Sequence, residues 1–266
     1  MDTQRHGSLE VRLARGFEDV DAAQALRYRV FFDEMGAIPD AEAKAAGRDR
    51  DRFDPHCDHL VVIDHGTAGQ PPKVVGTYRL LRRTVAARTN GFYSAGEFDL
   101  APLWRHAGEV LELGRSCVDP AYRTGAVMPL LWRGIAGYIA RHDIDILFGC
   151  ASLPGVEPKA ARPLLSYLYR NHLAPSDLRV RALASRYLAM ADEPVAAEGD
   201  PIELPPLIKG YLRLSGWVGD GAVIDYDFNT IDVCIIVQTQ KITAKYQRHY
   251  LGADRQPFVA AGQIAA

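Results

Sequence analysis

The chain has 266 residues, 48% of them hydrophobic, enough for one large domain with a substantial core. Lys+Arg 31 against Asp+Glu 33 gives a formal net charge of -2, which excludes a global electrostatic argument for nucleic acid as partner. The opening Met1-Asp2-Thr3-Gln4-Arg5-His6 lacks the basic-then-apolar order of a signal peptide, and no run approaches the ~18 apolar residues of a spanning helix, so a cytoplasmic protein is expected, at most a peripheral visitor to the inner membrane.

Leu9, Val11 and Leu13 alternate with polar neighbours and predict a first strand. Glu18 and Asp19 suit a helix start, after which Val20, Ala23, Arg27, Val30 and Phe31 recur at helical spacing. The polar, aperiodic stretch 36–57 predicts a long lid-like loop bearing Asp49, Asp51 and Asp54, with Asp58 just beyond. Those acids read equally well as a solvated loop. Cys57, Cys117, Cys150 and Cys234 show no CxxC spacing, against both a disulfide framework and a cysteine zinc knuckle. His56, Cys57 and His59 are cramped for tetrahedral zinc, so a polar loop entering a strand is expected there, and no metal.

His59–Asp64 and Val74–Leu81 read as a hairpin, with Arg79 inside its second strand and Arg82 and Arg83 at its end. An arginine in a strand either snorkels from an exposed face or is aimed at a carboxylate or phosphate. Residues 88–106 read as a loop with a short helix. In the next strand Leu111 and Leu113 point to one side, and Val110, Glu112 and Gly114 to the other. A bulge at Gly114 would bring Glu112 and Arg115 onto one face. Asp119-Pro120 stops that strand, and Arg123-Thr124-Gly125 leaves amides and a cation at a helix start, a place to hold phosphate.

Val127, Leu130, Leu131, Ile135, Tyr138 and Ile139 form the clearest helical stripe, with Arg133 and Arg141 off it. A strand at Ile144–Ala151 completes a parallel unit, and a helix at Ala160–Arg170 follows. The signal weakens across a possible insertion at about 173–206, with one strand at Leu178–Leu183 and an acidic stretch at 191–201. A short helix at Leu207–Leu214, an antiparallel pair at Ala222–Tyr226 and Ile231–Gln238, and a closing helix at Ile242–Leu251 complete one domain of residues 1–256, leaving 257–266 as a flexible tail.

This order of strand, helix, meander, central strand, phosphate turn, helix, strand and helix resembles the GCN5-related N-acetyltransferase (acyl-CoA N-acyltransferase) fold. That is an α/β architecture with a mixed central sheet, splayed central strands and flanking helices, here with a C-terminal extension. Arg27-Tyr28-Arg29-Val30-Phe31-Phe32, Asp51-Arg52-Phe53-Asp54, Cys57-Asp58-His59-Leu60, Gly76-Thr77-Tyr78-Arg79-Leu80-Leu81 and Glu112-Leu113-Gly114-Arg115 resemble the ordered signature of acyl-homoserine lactone synthases and ornithine-lipid acyltransferases. Leu131-Trp132-Arg133-Gly134-Ile135 and Pro205-Pro206-Leu207-Ile208-Lys209-Gly210-Tyr211-Leu212-Arg213-Leu214 are similar to the second family, the L-ornithine N-alpha-acyltransferases. One departure matters. Where acetyl-coenzyme A users show Arg or Gln, then Gly, then Gly or Ala, this chain has Tyr122, Gly125 and Val127.

The resemblance implies transfer of a 3-hydroxyacyl chain from acyl carrier protein to the α-amine of L-ornithine, the first step of ornithine lipid synthesis. No cofactor is implied beyond the carrier's phosphopantetheine thioester. A carboxylate must take the ammonium proton, and Glu112 is the first choice, its alternative being a structural partner of Arg115. Amides around Gly114 and Arg115 are candidate oxyanion donors. Arg79 or Arg29 would clamp the acceptor carboxylate, and Asp51, Asp54 and Asp58 would meet its ammonium. Arg123, Thr124 and Gly125 would hold the pantetheine phosphate, and Arg82, Arg83, Arg133 and Arg141 would meet the acidic carrier. Phe31, Phe32, Leu130 and Trp132 are neighbours for an acyl slot. The same residues fit two rival functions: an acyl-homoserine lactone synthase-like enzyme using another amine, and a non-catalytic acyl-carrier-binding protein.

Overall fold

A computed structural model describes residues 3–66, 71–191 and 202–242. The expected closing helix beyond Ile242, most of 191–201 and the tail at 257–266 lie outside the described residues. β1 (Gln4–His6) and β2 (Leu9–Leu13) pair across Gly7, whose φ of 61° is the left-handed conformation such a turn needs. α1 (Phe17–Tyr28) starts on Glu18 and Asp19 and runs on as a π-helical turn, Arg29–Glu34. The region expected as a loop carries α2 (Ala41–Ala46), because Asp40 caps it by accepting from the Ala43 amide at 2.7 Å and Gly47 ends it at φ 61°.

β3 (Asp58–Asp64) and β4 (Lys73–Arg82) form the expected hairpin. α3 (Arg83–Ala86), β5 (Phe98–Asp99) and α4 (Ala101–Trp104) are short pieces leading to β6 (Glu109–Val118). α5 (Val127–His142) then crosses over to β7 (Ile144–Pro154), and α6 (Pro158–His172) follows. Of the strand expected at Leu178–Leu183, only β8 (Arg181–Ala182) forms. α7 (Pro206–Arg213), β9 (Trp217–Asp225) and β10 (Thr230–Gln238) end the described chain, β9 beginning five residues before the expected Ala222.

The strands make one sheet in the order β1-β2-β3-β4-β6-β7-β10-β9-β8-β5. β6 and β7 are parallel, which their crossover through α5 requires. Alternation sorts the two faces. Leu60, Val62, Leu111, Leu113, Leu147, Val233 and Ile235 pack with the α5 stripe and with α6 and α7. On the other face, Val61 and Ile63 meet Leu26 and Val30 near α1, while Val110, Ile146, Phe148, Cys234 and Ile236 pack under Phe92, Phe98 and Leu103. Each fully buried side chain of this kind contributes about 1.5–3 kcal/mol relative to exposure.

The parallel ladder is short. It runs from Glu109↔Ile144 to Glu112↔Phe148 and stops. The last close approach is at Gly149, where a Cβ would stand 2.2 Å from the Leu113 carbonyl oxygen, so only glycine fits. Beyond it β6 stays with β4 as far as Val118 while β7 follows β10 as far as Pro154. The central strands therefore part, and their backbones leave a gap through the sheet.

Candidate active site

A cavity of about 270 Å³ occupies that gap. Tyr78, Leu113, Leu207 and Tyr211 line it from the α5 and α7 face; Arg79, Tyr93, Ser94, Glu112, Arg115, Cys150, Asp225 and Asp232 line it from the other. Phe31, Met35 and Phe228 also line it. The bulge falls one residue beyond the expected Gly114: Tyr78 faces both Arg115 and Ser116, and Arg115 itself takes φ 50°. That conformation costs a non-glycine residue about 1–2 kcal/mol. Its guanidinium is held over the rings of Tyr93 at 4.6 Å and Phe228 at 4.7 Å and by two aspartates. The bulge turns Arg115 toward the cavity that Glu112 lines.

Glu112 is buried, and its carboxylate accepts from the amides of Ser94 at 2.7 Å and Tyr93 at 2.9 Å. Burial raises its pKa despite those bonds, so it accepts a proton more readily than an ordinary glutamate. The alternative expectation, a partnership with Arg115, is not what forms. Arg115 instead donates to Asp49 at 3.1 Å and to Asp51 at 3.3 Å.

Three acids and three arginines close into one network. Arg27 donates through Nε to Asp49 at 2.7 Å and forks onto both Asp54 oxygens at 3.0 and 2.9 Å. Arg79 donates to Asp51 at 2.6 Å and to Asp54 at 3.0 Å. Arg27 and Arg79 hold the Asp54 carboxyl well below the usual carboxylate range against the cost of its burial. Asp51 and Asp54, expected to meet the acceptor ammonium, have their oxygens on guanidiniums here, and neither lines the cavity. By spacing alone Arg27 falls on the apolar stripe of α1. An arginine on an apolar face was the signal for a buried acid partner.

Other expected site residues lie elsewhere. Arg29 is exposed on the π turn, outside the cavity wall. Asp58 accepts from the Tyr138 hydroxyl at 2.6 Å, beside α5 and away from the cavity. Arg123 forks onto Glu34, the Gly125 amide donates to the Tyr122 carbonyl at 3.3 Å, and Thr124 is exposed, so none of the three lines the cavity. Arg83 is spent on the carbonyls of His106 and Gly108, which pins the loop before β6. Arg82 bonds the Tyr138 hydroxyl at 2.9 Å, Arg133 is half-buried and Arg141 exposed. Phe31 lines the cavity, while Phe32 stacks on Tyr28 and Leu130 and Trp132 belong to the core. Among the described residues His56, Cys57 and His59 do not gather round a common point.

The acids that sequence reading missed are Glu97, Asp225 and Asp232. Asp232 interrupts the apolar run of β10 at an inward position, a signal visible in the sequence. Cys150 Sγ lies 3.2 Å from Glu97 Oε2 and 3.3 Å from Ser94 Oγ. Burial and the nearby acids push its thiol far up, so it stays protonated and is unfit as a nucleophile.

Residues 26–133 match the family model described as acetyltransferase (GNAT) domain. The chain is 49% identical to a protein named L-ornithine N(alpha)-acyltransferase from Brucella abortus (strain 2308), over 96% of this chain and 92% of that one. A protein of the same name from Rhodobacter capsulatus is 43% identical, over 91% of this chain and 95% of its own. Among solved structures, FeeM, an N-acyl amino acid synthase from uncultured soil microbes, superposes with a TM-score of 0.51 at 12% identity, covering 92% of this chain and 98% of that chain. The fold is that of the GNAT acetyltransferases.

Proposed function

The chain belongs to the L-ornithine N(alpha)-acyltransferase family, and from that premise we propose how the gap between β6 and β7 carries out acyl transfer to ornithine. The observation that carries the reading is Glu112, a buried carboxylate with a raised pKa in the wall of a cavity that passes between the parted central strands. The thioester lies in the gap. The acceptor enters on the Glu112 side, gives its ammonium proton to that carboxylate, and attacks the carbonyl carbon. The carbonyl π pair becomes an oxyanion and the attacking nitrogen carries a positive charge with two protons; the carbonyl reforms as the carbon–sulfur bond breaks, and the nitrogen's surplus proton passes to the leaving thiolate, giving a neutral amide and a free thiol. Transfer runs directly from thioester to amine in this reading, with Cys150, whose Sγ lies 3.2 Å from Glu97 Oε2 and whose thiol burial raises in pKa, left out of the acyl path.

Past Glu112 the edge of β6 has no ladder partner on β7, which leaves backbone amides near Gly114 and Arg115 to meet the oxyanion. Arg79 lies on the wall and spends only its Nη1 on Asp51 and Asp54, so the acceptor carboxylate falls to its remaining N–H groups. The acyl chain takes the apolar lining of Phe31, Met35, Leu207 and Phe228.

For the donor we favour an acyl chain on carrier-protein phosphopantetheine over acyl-coenzyme A. Val127 is fully buried and a Cβ on Gly76 would stand 2.5 Å from its Cγ1, while the Tyr122 hydroxyl is tied to Asp64 at 2.7 Å. That helix start is filled by side chains where a pyrophosphate would need room. Arg82, Arg133 and Arg141 remain the cations offered to an acidic carrier. Among the described residues no helix is long and apolar enough to cross a membrane; the lipid product would leave through peripheral contact. The test supplies one 3-hydroxyacyl chain on carrier protein or on coenzyme A, with L-ornithine in both cases. A higher kcat/KM for the carrier-bound donor is expected; equal or better use of the coenzyme A thioester overturns the donor assignment.

A further inference from the structure

The cavity floor beyond Glu112 holds acids that the transfer chemistry leaves unused. Asp225 and Asp232 line it, and one donor atom each from Glu97, Cys150 and Asp232 lies within 4.8 Å of the others. Asp232 is only 4% exposed, and its Oδ1 has no hydrogen-bond partner, although Ser152 and Thr230 stand beside the carboxyl. A buried acceptor left without a donor is costly unless something arrives to supply one.

The fixed cations nearby are already committed. Arg115 serves Asp49 and Asp51, and Arg186 donates to the carbonyls of Gly96 and Ile224. Asp225 Oδ1 accepts the amides of Asp227 at 2.9 Å and Phe228 at 3.1 Å. Burial raises the pKa of both Glu97 and Asp232, the response of carboxyls that lack a cation.

From this arrangement we infer that Asp232, backed by Glu97, binds the side-chain ammonium of the acceptor and so selects a diamino acid over a neutral one. The inference rests on the reading of Glu112 as the group that meets the α-amine. The two nitrogens of ornithine are five bonds apart, roughly 6 Å when extended, since bonds of about 1.5 Å meeting at about 111° advance the chain by about 1.25 Å each. Each reaches a carboxylate across roughly 2.8 Å more. Along the wall, Glu112 is bonded to the Ser94 amide, Ser94 Oγ to Cys150, and Cys150 to Glu97, whose oxygen neighbours Asp232. A diamine laid along that wall has a carboxylate at each end.

The test is competition in one vessel between L-ornithine and L-norvaline, which keeps the carbon skeleton and lacks the side-chain nitrogen. Both acceptors meet the same enzyme molecules, so the ratio of their kcat/KM values is independent of the folded fraction. The native enzyme is expected to prefer ornithine, Asp232→Asn to reduce that preference at least about tenfold, and Glu97→Gln to shift it the same way by less. An unchanged ratio in Asp232→Asn overturns the inference. So does a stoichiometric divalent metal in the isolated protein that Asp232→Asn abolishes, since the acids would then belong to the metal. If the native protein acylates neither amino acid, the functional reading fails separately. Calorimetric binding of ornithine against norvaline, by native protein and Asp232→Asn, then decides the subsite alone.

Discussion

Glu112 combines burial with two amide donors, and the balance between them sets its basicity. Burial lifts the carboxyl, the Tyr93 and Ser94 amides pull it back, and the outcome lies above an ordinary glutamate. Glu112→Gln keeps the shape and removes the carboxylate that the proposed mechanism uses as base. We expect kcat with ornithine to fall by about 10²–10⁴ while the melting temperature holds, measured by steady-state kinetics and thermal unfolding. A fall below tenfold would return Glu112 to a structural role. Gly149 offers a second test at this scale, because a methyl group there meets the Leu113 carbonyl at 2.2 Å. Gly149→Ala should cost about 1–3 kcal/mol in denaturant unfolding and lower activity by forcing the strands apart at the wrong place. Glu112, Gly114 and Arg115 were legible in the sequence because strand alternation is local. Their partners were not, since Tyr93, Ser94 and Asp49 reach them from distant segments.

Between α1 and β3 the chain looks solvated in sequence, charged and aperiodic. In the fold Asp49, Phe53 and Asp54 are buried, stitched by Arg27 to α1, by Arg79 to β4 and by Arg115 to β6. A pattern argument counts such acids as exposed, and nothing local says that three arginines await them. Removing one partner leaves buried charge behind, so Arg27→Met should destabilise by about 3–5 kcal/mol in denaturant unfolding. The pH dependence has a definite sign. Asp51 and Asp54 have pKa values depressed in the folded state, so their stabilisation is present above the unfolded value of about 3.9 and is lost as pH falls through their folded values. Unfolding free energy between about pH 2 and pH 4, below the range in which Glu112, Glu97 and Asp232 oppose it, should therefore rise with pH, and less steeply in Asp54→Asn; an equal slope would deny the network that role. Elements with clean periodicity, such as α5, were read to within a few residues. β9 was read short because Gly219 and Gly221 break the pattern of its first half.

At the scale of the molecule, one sheet separates two apolar layers and is interrupted where β6 and β7 part. The order of elements made that parting readable in advance as a family resemblance. What it could not convey is which acids end up facing the gap. Asp225 and Asp232 come from the last strand pair, more than a hundred residues after Glu112, and reach the cavity only because β10 pairs with β7. The surroundings of the expected phosphate turn were illegible for a related reason: Glu34, Asp64 and Gly76 close on Arg123, Tyr122 and Val127 from other parts of the fold.

In the mechanism we propose, the amine attacks the thioester directly in this gap and Glu112 takes its proton. The measurement that tests it most directly is mass-resolved product analysis after incubating native protein or Glu112→Gln with 3-hydroxyacyl carrier protein and L-ornithine. The expected result is Nα-acylornithine together with free carrier thiol from the native enzyme, at least about 100-fold less from Glu112→Gln, and no acyl group on the protein. Acyl transfer that persists in Glu112→Gln, or an acyl adduct on Cys150 that ornithine then releases, would contradict it.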